Sequence, residues 1–326
     1  MNIAITGATG FLGSHLAKKL MKAGYTVFVH ARNANKTKQF EGKAGKIIIA
    51  DITDVNKIQE LVADADIVIH TVSNFRTASG PASSYKAINV EGTVNVYNAA
   101  VKAGVKRFIH CSTIGVLGDI KECPANEKTA FNPGDLYQET KLEAELYVLS
   151  QVGKSNMETV VIRPCSMYGP GDLRMLKMFR MLVKRTFLMI GPCTENFHAI
   201  YIDDIVDAFI KSIDTQDIDG DVFIIGGERY VPLHEYIRIA ANAVGSPMPW
   251  LKFPYWLFYF AAVLIEAICV PLRIEPPLHR RRVRFYKNNR AFNTELTQKK
   301  LKFVPKIDLE EGMAKTVDWY RNNGYL

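Results

Sequence analysis

The chain begins with a short apolar stretch that runs directly into three regularly spaced glycines. Residues 2 to 6 read Asn-Ile-Ala-Ile-Thr, and the next seven read Gly7-Ala-Thr-Gly10-Phe-Leu-Gly13. Gly7 permits a sharp reversal of the backbone, Gly10 lets a phosphate approach, and Gly13 lets a following helix pack closely on the strand. This pattern favours a strand–turn–helix unit that holds a dinucleotide pyrophosphate at the helix N-terminus.

Through the first half of the chain, apolar runs of strand length alternate with patterns of helical period. Such alternation is typical of an α/β fold in which a doubly wound parallel sheet, the Rossmann fold, binds ligands at the carboxyl ends of its strands. The predicted strands are Ile3–Thr6, Thr26–His30, Lys46–Ala50, Ile67–His70, Arg107–Cys111 and Thr159–Arg163, and the predicted helices are Leu12–Ala23, Val55–Asp64, Ser84–Ala103 and Leu136–Val152.

After Arg163 the composition changes to turn-rich and basic stretches. The turn Tyr168-Gly-Pro-Gly-Asp172 precedes a basic helical pattern over Leu173–Thr186. The sequence therefore predicts a smaller, mostly helical substrate-binding region after the dinucleotide-binding domain. The expected bounds are 1–165 for the NAD(P)-binding domain, to which the chain returns near 196–228, and 166–326 for the substrate-binding region.

Tyr137 and Lys141 stand one helical turn apart in Tyr-Gln-Glu-Thr-Lys. A phenol with a pKa near 10 carries protons poorly at neutral pH, and an ammonium beside it favours its ionised form. Lys141 could also hold the nicotinamide ribose. Thr113, just past the strand Arg107–Cys111, would place a hydroxyl where it orients a substrate oxygen. We predict that Tyr137 exchanges the alcohol proton while hydride passes between substrate carbon and nicotinamide.

The end of the second predicted strand bears on the choice of dinucleotide. An NAD site normally presents an acid there for the ribose hydroxyls. This chain reads His30-Ala-Arg32-Asn33 instead, and Arg32 could bind a 2′-phosphate through its planar guanidinium. The alternative is a surface arginine without a ligand. NADP is the favoured cofactor, with NAD as the alternative, and Asp51 after the third strand is placed to meet the adenine, although Asp is also a common turn residue.

These motifs resemble the extended short-chain dehydrogenase/reductase family, of the NAD-dependent epimerase/dehydratase type. The resemblance covers nearly the whole chain and includes Cys111-Ser-Thr113, Arg163-Pro-x-x-x-Tyr-Gly-Pro170, Tyr201-Ile-Asp-Asp204 and a last helix with Leu309-Glu-Glu-Gly-Met. It implies a Rossmann fold and a dinucleotide cofactor. Besides the glycines, Arg32 and Asp51, it implies cofactor contacts from Thr9, Phe11, Leu12, Ile52, Thr71, Val72, Tyr137, Lys141, Arg163 and Pro164.

Local departures from the family pattern indicate the branch. The family's dehydratases follow the catalytic Thr with an Asp-Glu pair, whereas Ile114 and Gly115 stand here. The stretch Pro164–Tyr168 lacks the Asn of many sugar-nucleotide enzymes and resembles the 3β-hydroxysteroid dehydrogenase and dihydroflavonol reductase branch. The resemblance implies an oxidoreductase that interconverts a secondary alcohol and a ketone on a sterol-, flavonoid- or acyl-like substrate. Lys302 departs from the family, which commonly has Gly there.

Two other functions stay open at this stage. In a nucleotide-sugar epimerase, the cluster Arg280–Arg284 would hold the diphosphate. A non-enzymatic nucleotide sensor or scaffold would keep the fold without the chemistry, but the intact set of Thr113, Tyr137 and Lys141 argues against it.

The net charge of +8 is concentrated in one segment. Seven Lys and Arg residues lie between Arg273 and Arg290, with Glu275 as the one acid. A local basic run indicates an anionic ligand or membrane surface more than nucleic acid. The neighbouring apolar segment 254–271 carries Glu266 and is too short to span a bilayer. The apolar segment is expected to contact a hydrophobic substrate or, with the basic run through 254–290, a membrane surface peripherally. A homodimer or core helix is the alternative for the apolar segment, and a solvated face is the alternative for the basic run.

The five cysteines form no Cys-x-x-Cys pair and no ligand spacing with His. We therefore expect a reducing compartment and no metal site. The N-terminus enters the first strand without a charged leader, so that a cytoplasmic protein is expected, with peripheral contact at the inner membrane surface as the variant.

Overall fold

The computed structural model describes residues 1–75, 82–269, 272, 274 and 276–326. The helices are α1 (Phe11–Lys22), α2 (Val55–Val62), α3 (Ala82–Lys86), α4 (Gly92–Lys102), α5 (Leu136–Ser150), α6 (Leu176–Val183), α7 (Ile202–Asp214), α8 (Leu233–Val244), α9 (Tyr255–Cys269), α10 (Arg280–Arg284), α11 (Glu295–Leu301) and α12 (Leu309–Asn322). The strands are β1 (Asn2–Thr6), β2 (Thr26–Ala31), β3 (Lys46–Ile49), β4 (Ile67–His70), β5 (Arg107–Cys111), β6 (Glu158–Pro164), β7 (Ser166–Tyr168), β8 (Met189–Ile190), β9 (Asn196–Phe197), β10 (Ala199–Tyr201), β11 (Val222–Ile225), β12 (Val231–Pro232) and β13 (Lys252–Phe253).

Among the described residues, seven strands form one parallel sheet in the order β11-β6-β5-β4-β1-β2-β3. The chain runs from β1 outward to β3 and then returns across β1 to β4, which makes the sheet doubly wound. The predicted Rossmann-type fold is confirmed, and the six predicted strands are found within one residue at each end. The remaining strand, β11, pairs with β6 in the stretch where the chain was expected to return.

The sheet has a separate hydrophobic core on each face because successive side chains of a strand point to opposite sides. Ile3 and Ile5 pack with α1 and α7 on one face. Ala4, between them, packs on the other face with α2 and α4. Since both faces of the central strands are buried, these strands read as continuous apolar runs in the sequence.

The predicted helix Ser84–Ala103 is interrupted by a π-helical turn at Ala87–Glu91, which separates α3 from α4. Asn89 lies within this wider turn and is fully buried. Its side-chain oxygen accepts the backbone N–H of Asn74 at 2.6 Å, and its amide donates to Thr140 Oγ1 at 3.0 Å. The turn therefore connects the segment after β4 to α5, in keeping with the frequent occurrence of π-turns at functional sites.

The C-terminal helix α12 is fixed to the middle of the chain. The two oxygens of Asp204 accept the backbone N–H groups of Lys306 and Ile307, each at 3.0 Å. Gly312 packs so closely on Tyr168 that an added Cβ would clash with the phenol oxygen. Lys302 ends α11 with a φ of +49°, so the left-handed position is kept although a lysine stands where the family commonly has glycine.

Parts of the predicted apolar and basic segments lie outside the described part of the chain. These are residues 270, 271, 273 and 275, together with the side chains of Arg281 and Arg282. Among the helices that are described, none combines the length and the apolar character needed to cross a bilayer.

Candidate active site

The glycine turn between β1 and α1 has the shape of a phosphate cradle. Gly7 has a φ of +75°, and a Cβ on Gly13 would collide with the Gly7 carbonyl oxygen. Gly10 is the N-cap residue of α1 and has no side chain that could satisfy the first N–H groups of the helix. Those groups are available to an anion, and the helix dipole favours negative charge there. The turn therefore fits the pyrophosphate of a dinucleotide.

The segment after β4 lies directly against this turn. A Cβ on Gly7 would be 3.0 Å from Thr71 Oγ1 and 3.1 Å from the backbone nitrogen of Val72. The Thr71 hydroxyl donates to the carbonyl of Thr6 at 2.7 Å. The structure thus brings Thr71 and Val72 to the glycine turn, together with Thr9, Phe11 and Leu12, which belong to the turn and the first turn of α1.

The residues expected to bind the adenosine half occupy the ends of β2 and β3. Arg32 is exposed, and no hydrogen bond or ion pair joins it to another described residue. Asp51 accepts the N–H and the hydroxyl of Thr53 at 3.0 and 2.8 Å, and the backbone bond is the main cause of its lowered pKa. The Ile52 side chain is buried against Gly92, so only its backbone can face a cofactor.

Helix α5 carries Tyr137 and Lys141 on its inner face. The Asp135 side chain accepts the Gln138 N–H at 2.9 Å and caps the helix just before these residues. Tyr137 is 8% and Lys141 only 1% exposed. Lys141 Nζ donates to the Cys111 carbonyl at 2.7 Å and lies 3.5 Å from His110 Nε2. The ammonium is therefore held at the carboxyl end of β5, where burial lowers the pKa of Lys141.

Thr113 lies two residues beyond the end of β5 and caps a short 3₁₀ helix, Ile114–Leu117. Its Oγ1 accepts the Gly115 N–H at 3.0 Å. Because a hydroxyl can accept and donate at once, this bond fixes the oxygen and leaves its proton for a substrate oxygen. The sequence placed Thr113 at this strand end, and the structure adds the bond that orients it.

The Arg163 side chain is buried in the protein interior. Its guanidinium forms a fully buried pair with Glu145, with Nη2 2.5 Å and Nε 3.1 Å from Oε1. Glu145 lies one turn after Lys141 on α5 and also accepts the Ser112 hydroxyl. The pair joins α5 to β6 and to the segment after β5. Only the backbone of Arg163 is left for the cofactor contact expected of it, and the neighbouring Pro164 ends β6 beside it.

Phe75 and Arg174 belong to the site but were not expected from the sequence. The Phe75 ring packs edge to face on Tyr137, with centroids 4.9 Å apart. The Arg174 guanidinium lies over Phe75 at 5.7 Å and over Phe11 at 5.2 Å, and Asp172 holds it at 2.7 Å. A continuous stack therefore joins the glycine turn to the candidate catalytic tyrosine. Nothing local marks these residues, because the stack forms only when four segments that are distant in the sequence meet.

A cavity of about 630 Å³ opens beside the 3₁₀ helix. Its lining residues lie between Leu117 and Asn132 and include Lys121, Lys128 and Phe131, whereas Thr113, Tyr137 and Lys141 are not among them. The loop that forms it is tied to the C-terminal region through Ala125, which exchanges backbone hydrogen bonds with Ala291 and Asn293. The cavity therefore lies apart from the candidate catalytic residues.

The fold and these residues define a dinucleotide-dependent enzyme with a Tyr and Lys pair on α5, whose Lys reaches the end of β5, one strand beyond the switch point between β1 and β4. The model of the NAD dependent epimerase/dehydratase family matches residues 3–226. The chain belongs to this family, whose members use NAD(P) in chemistry at CH–OH groups.

Individual relatives fall into two groups. A UDP-glucose 4-epimerase of Vibrio cholerae is 30% identical over 269 residues, which is 79% of this chain and 80% of that protein. The decarboxylating sterol-4-alpha-carboxylate 3-dehydrogenase of Schizosaccharomyces pombe is 27% identical over 338 residues, 98% and 97% of the two chains. Among solved structures, a UDP-glucuronic acid 4-epimerase from Bacillus cereus in complex with NAD has the same fold, with a TM-score of 0.80, 20% identity and coverage of 99% and 97%.

Proposed function

We propose that this protein is an NADP-dependent oxidoreductase that interconverts a secondary alcohol and a ketone on a hydrophobic substrate. The observation that carries the proposal is the placement of Thr113 and of the buried Lys141 ammonium at the end of β5, two strands from the glycine turn, with Tyr137 one helical turn before Lys141 on α5. This arrangement can orient an oxygen and move a proton beside a bound dinucleotide. No acid pair follows Thr113, so the residues needed to expel water are missing from that position.

The chain's own residues supply all the acid–base chemistry of the proposed step. Thr113 donates its hydroxyl hydrogen to the substrate oxygen, and Tyr137 gives that oxygen a proton in reduction or takes it in oxidation. The Lys141 ammonium, desolvated and anchored on Cys111, lowers the cost of the phenolate. A bound dinucleotide would supply the hydride in reduction and accept it in oxidation. Addition of one hydride and one proton to the ketone gives the alcohol, and their removal gives the ketone back.

Two observations support a hydrophobic substrate and NADP. The sterol dehydrogenase from Schizosaccharomyces pombe matches nearly the full length of both chains. Arg32 is exposed at the end of β2, where its guanidinium is free to pair with a 2′-phosphate.

A nucleotide-sugar epimerase is the second candidate. The similarity to the UDP-glucose 4-epimerase of Vibrio cholerae favours it. So do Lys121 and Lys128 in the lining of the cavity, which suit a diphosphate better than a sterol. The two functions differ in cofactor behaviour, since an epimerase restores its dinucleotide in every turnover and a reductase must exchange it.

The deciding experiment measures NADPH and NADH oxidation with steroid, flavonoid and 3-oxoacyl ketones, and UDP-sugar epimerisation in parallel. Net consumption of NADPH with a ketone is the expected result. Epimerisation without net consumption of dinucleotide would overturn the oxidoreductase and establish the alternative.

Tyr137→Phe tests the mechanism on whichever substrate reacts. We expect kcat to fall by roughly 10²- to 10⁴-fold, because proton transfer is lost while the ring that packs on Phe75 is kept. The matched control is Tyr147→Phe on the same helix, whose hydroxyl bonds Asn98 at 2.8 Å on the protein surface. Dinucleotide binding, followed by fluorescence, should persist in both variants. Full activity of Tyr137→Phe would contradict the assigned role.

A further inference from the structure

Helix α9 presents a continuous apolar stripe to solvent. Trp256, Phe260, Leu264 and Ile268 follow one another at intervals of four residues and are 68, 59, 49 and 63% exposed. Leu257, beside Trp256, is also exposed. Residues four apart lie on one face of a helix, so these side chains form a single surface along its whole length. We call this surface the α9 stripe.

The opposite face of α9 attaches the helix to the protein. Ala262 is fully buried and clusters with Ile190 of β8 and Val283 of α10. Tyr255 and Tyr259 pack at the edge of this cluster. The helix thus has an inner face that is covered and an outer face that is apolar without cover from any described residue.

More exposed apolar side chains lie near both ends of α9. Trp250 is 82% exposed before the helix, and Leu272 and Ile274 are 62 and 57% exposed after it. Monomeric soluble proteins rarely expose contiguous apolar patches of this kind unless the patch binds something.

Basic side chains border the stripe. The Arg284 guanidinium donates to the Tyr259 hydroxyl at 3.4 Å, and the Lys287 ammonium lies 4.5 Å from the centre of the Tyr255 ring. The one acid in α9, Glu266, is 15% exposed and pairs with Arg280. Its charge is therefore neutralised away from the stripe, and the border of the stripe is positive.

The positive border distinguishes between occupants. In a symmetric dimer the same patch meets itself, and because Glu266, the one acid of α9, is already paired with Arg280, the helix offers no free negative charge to its own basic border. A bilayer with anionic headgroups offers apolar depth for the stripe and negative charge for the border. Trp256 suits the boundary between these two zones, where tryptophan is enriched.

We propose that the α9 stripe docks this protein on the surface of an anionic bilayer, with the helix lying in the plane of the interface. The 15 residues of α9 span roughly 22 Å, less than the ~30 Å hydrocarbon core, so the helix lies on the bilayer and does not cross it. This docking is independent of the proposed reaction, because none of the candidate catalytic residues lies on α9 or α10.

Co-sedimentation of the full chain with vesicles tests the proposal. With phosphatidylcholine and phosphatidylglycerol in equal amounts we expect binding that weakens as salt is raised, and with phosphatidylcholine alone we expect binding weaker by roughly tenfold or more. Trp256→Glu combined with Phe260→Glu should abolish binding. Arg284→Glu combined with Lys287→Glu should remove the preference for the anionic lipid.

The matched control is Val304→Glu combined with Val101→Glu, which places acids at exposed apolar positions elsewhere and should leave vesicle binding unchanged. Brominated lipids give a second readout without an acidic substitution. They should quench the tryptophan fluorescence of the native protein, and Trp256→Phe should reduce that quenching while binding persists.

Three results would overturn the proposal. One is the absence of vesicle binding by the native protein. The second is equal loss of binding in the control variant. The third is a change from dimer to monomer by light scattering when the stripe is substituted, since a second copy would then be its occupant.

Discussion

Lys141 combines two properties that oppose each other at the scale of a single residue. Burial disfavours its charge and lowers its pKa, while the Cys111 carbonyl accepts one of its hydrogens at 2.7 Å. His110, 3.5 Å away, is itself fully buried with a lowered pKa and is therefore neutral at physiological pH. A neutral imidazole next to the ammonium adds no repulsion, so the site can keep a positive charge beside the phenol.

The proposed preference for NADP depends on a single residue, Arg32. We expect Arg32→Ala to weaken NADPH binding by roughly 10- to 100-fold, since a charge-assisted hydrogen bond contributes about 1.5–3 kcal/mol. NADH binding should change little, because NADH has no 2′-phosphate. Titration of both dinucleotides by fluorescence measures the two effects. Lys36→Ala, four residues on, is the control. An equal loss for NADPH and NADH would count against the assignment.

At the scale of elements, the buried pair of Arg163 and Glu145 holds the catalytic helix in place. It connects α5 to β6, and Glu145 also binds Ser112 after β5. A buried ion pair often adds little net stability, but loss of one partner leaves the other charge buried and unpaired. The position of Tyr137 and Lys141 on α5 therefore depends on this pair, whose Glu145 carboxylate also favours the charged form of Lys141.

Glu145→Leu should lower the free energy of unfolding by about 3–5 kcal/mol, because the Arg163 guanidinium would stay buried without its carboxylate. Urea denaturation measures this change. The control is Glu311→Ala, which breaks the half-exposed pair with Lys315 on α12 and should cost roughly 0.5 kcal/mol or less. A similar decrease in the free energy of unfolding in both variants would contradict the larger cost expected for breaking the buried pair.

Sequence patterns predicted elements better than the contacts between them. The strand bounds and the Gly7–Gly13 turn follow from residues that are neighbours in the chain, since periodicity and glycine spacing are local signals. The π-turn around Asn89, the pairing of Arg163 with Glu145 and the stack through Arg174 depend on residues that are 15 to 163 positions apart in the sequence. Local periodicity carries no information about such pairs, so the sequence assigned Arg163 to the cofactor and missed Arg174.

On the scale of the whole molecule, polar side chains cross the sheet in one row beneath the candidate site. Thr6 of β1 pairs in register with His70 of β4, and His70 pairs with His110 of β5. His70 is bonded on both ring nitrogens, to Thr6 Oγ1 at 2.7 Å and to Thr93 Oγ1 at 3.0 Å. His30 lies at the same end of β2, with its Nδ1 3.4 Å from the Gly7 nitrogen.

The buried histidines make stability depend on pH. Burial lowers the pKa of His30 to about 4 and the pKa values of His70 and His110 well below 6.5. The unfolded chain therefore binds protons first as the pH falls below 6.5. The free energy of unfolding should decrease between pH 6.5 and 4, by up to about 1.4 kcal/mol per pH unit for each histidine.

Urea denaturation at pH 7, 6 and 5 measures this dependence. His30→Gln should make the slope of the free energy of unfolding against pH shallower, by up to about 1.4 kcal/mol per pH unit. A free energy of unfolding that stays constant from pH 7 to pH 5 would contradict the burial of these rings in their neutral form.

The attachment of α12 to Asp204 and Tyr168 has a consequence for the order in which the molecule can be assembled. Strands β1 to β6 are contiguous in the sheet, so their pairing with one another involves no residue after Pro164. The turn that ends at Asp172 is different, because the Tyr320 hydroxyl donates to the Asp172 carbonyl from 148 positions away. A chain that has emerged from the ribosome only as far as Pro164 contains the glycine turn and every strand of the seven-stranded sheet except β11, although α7, which covers one face, is still to come. The contact between Tyr320 and Asp172 forms only when α12 has emerged.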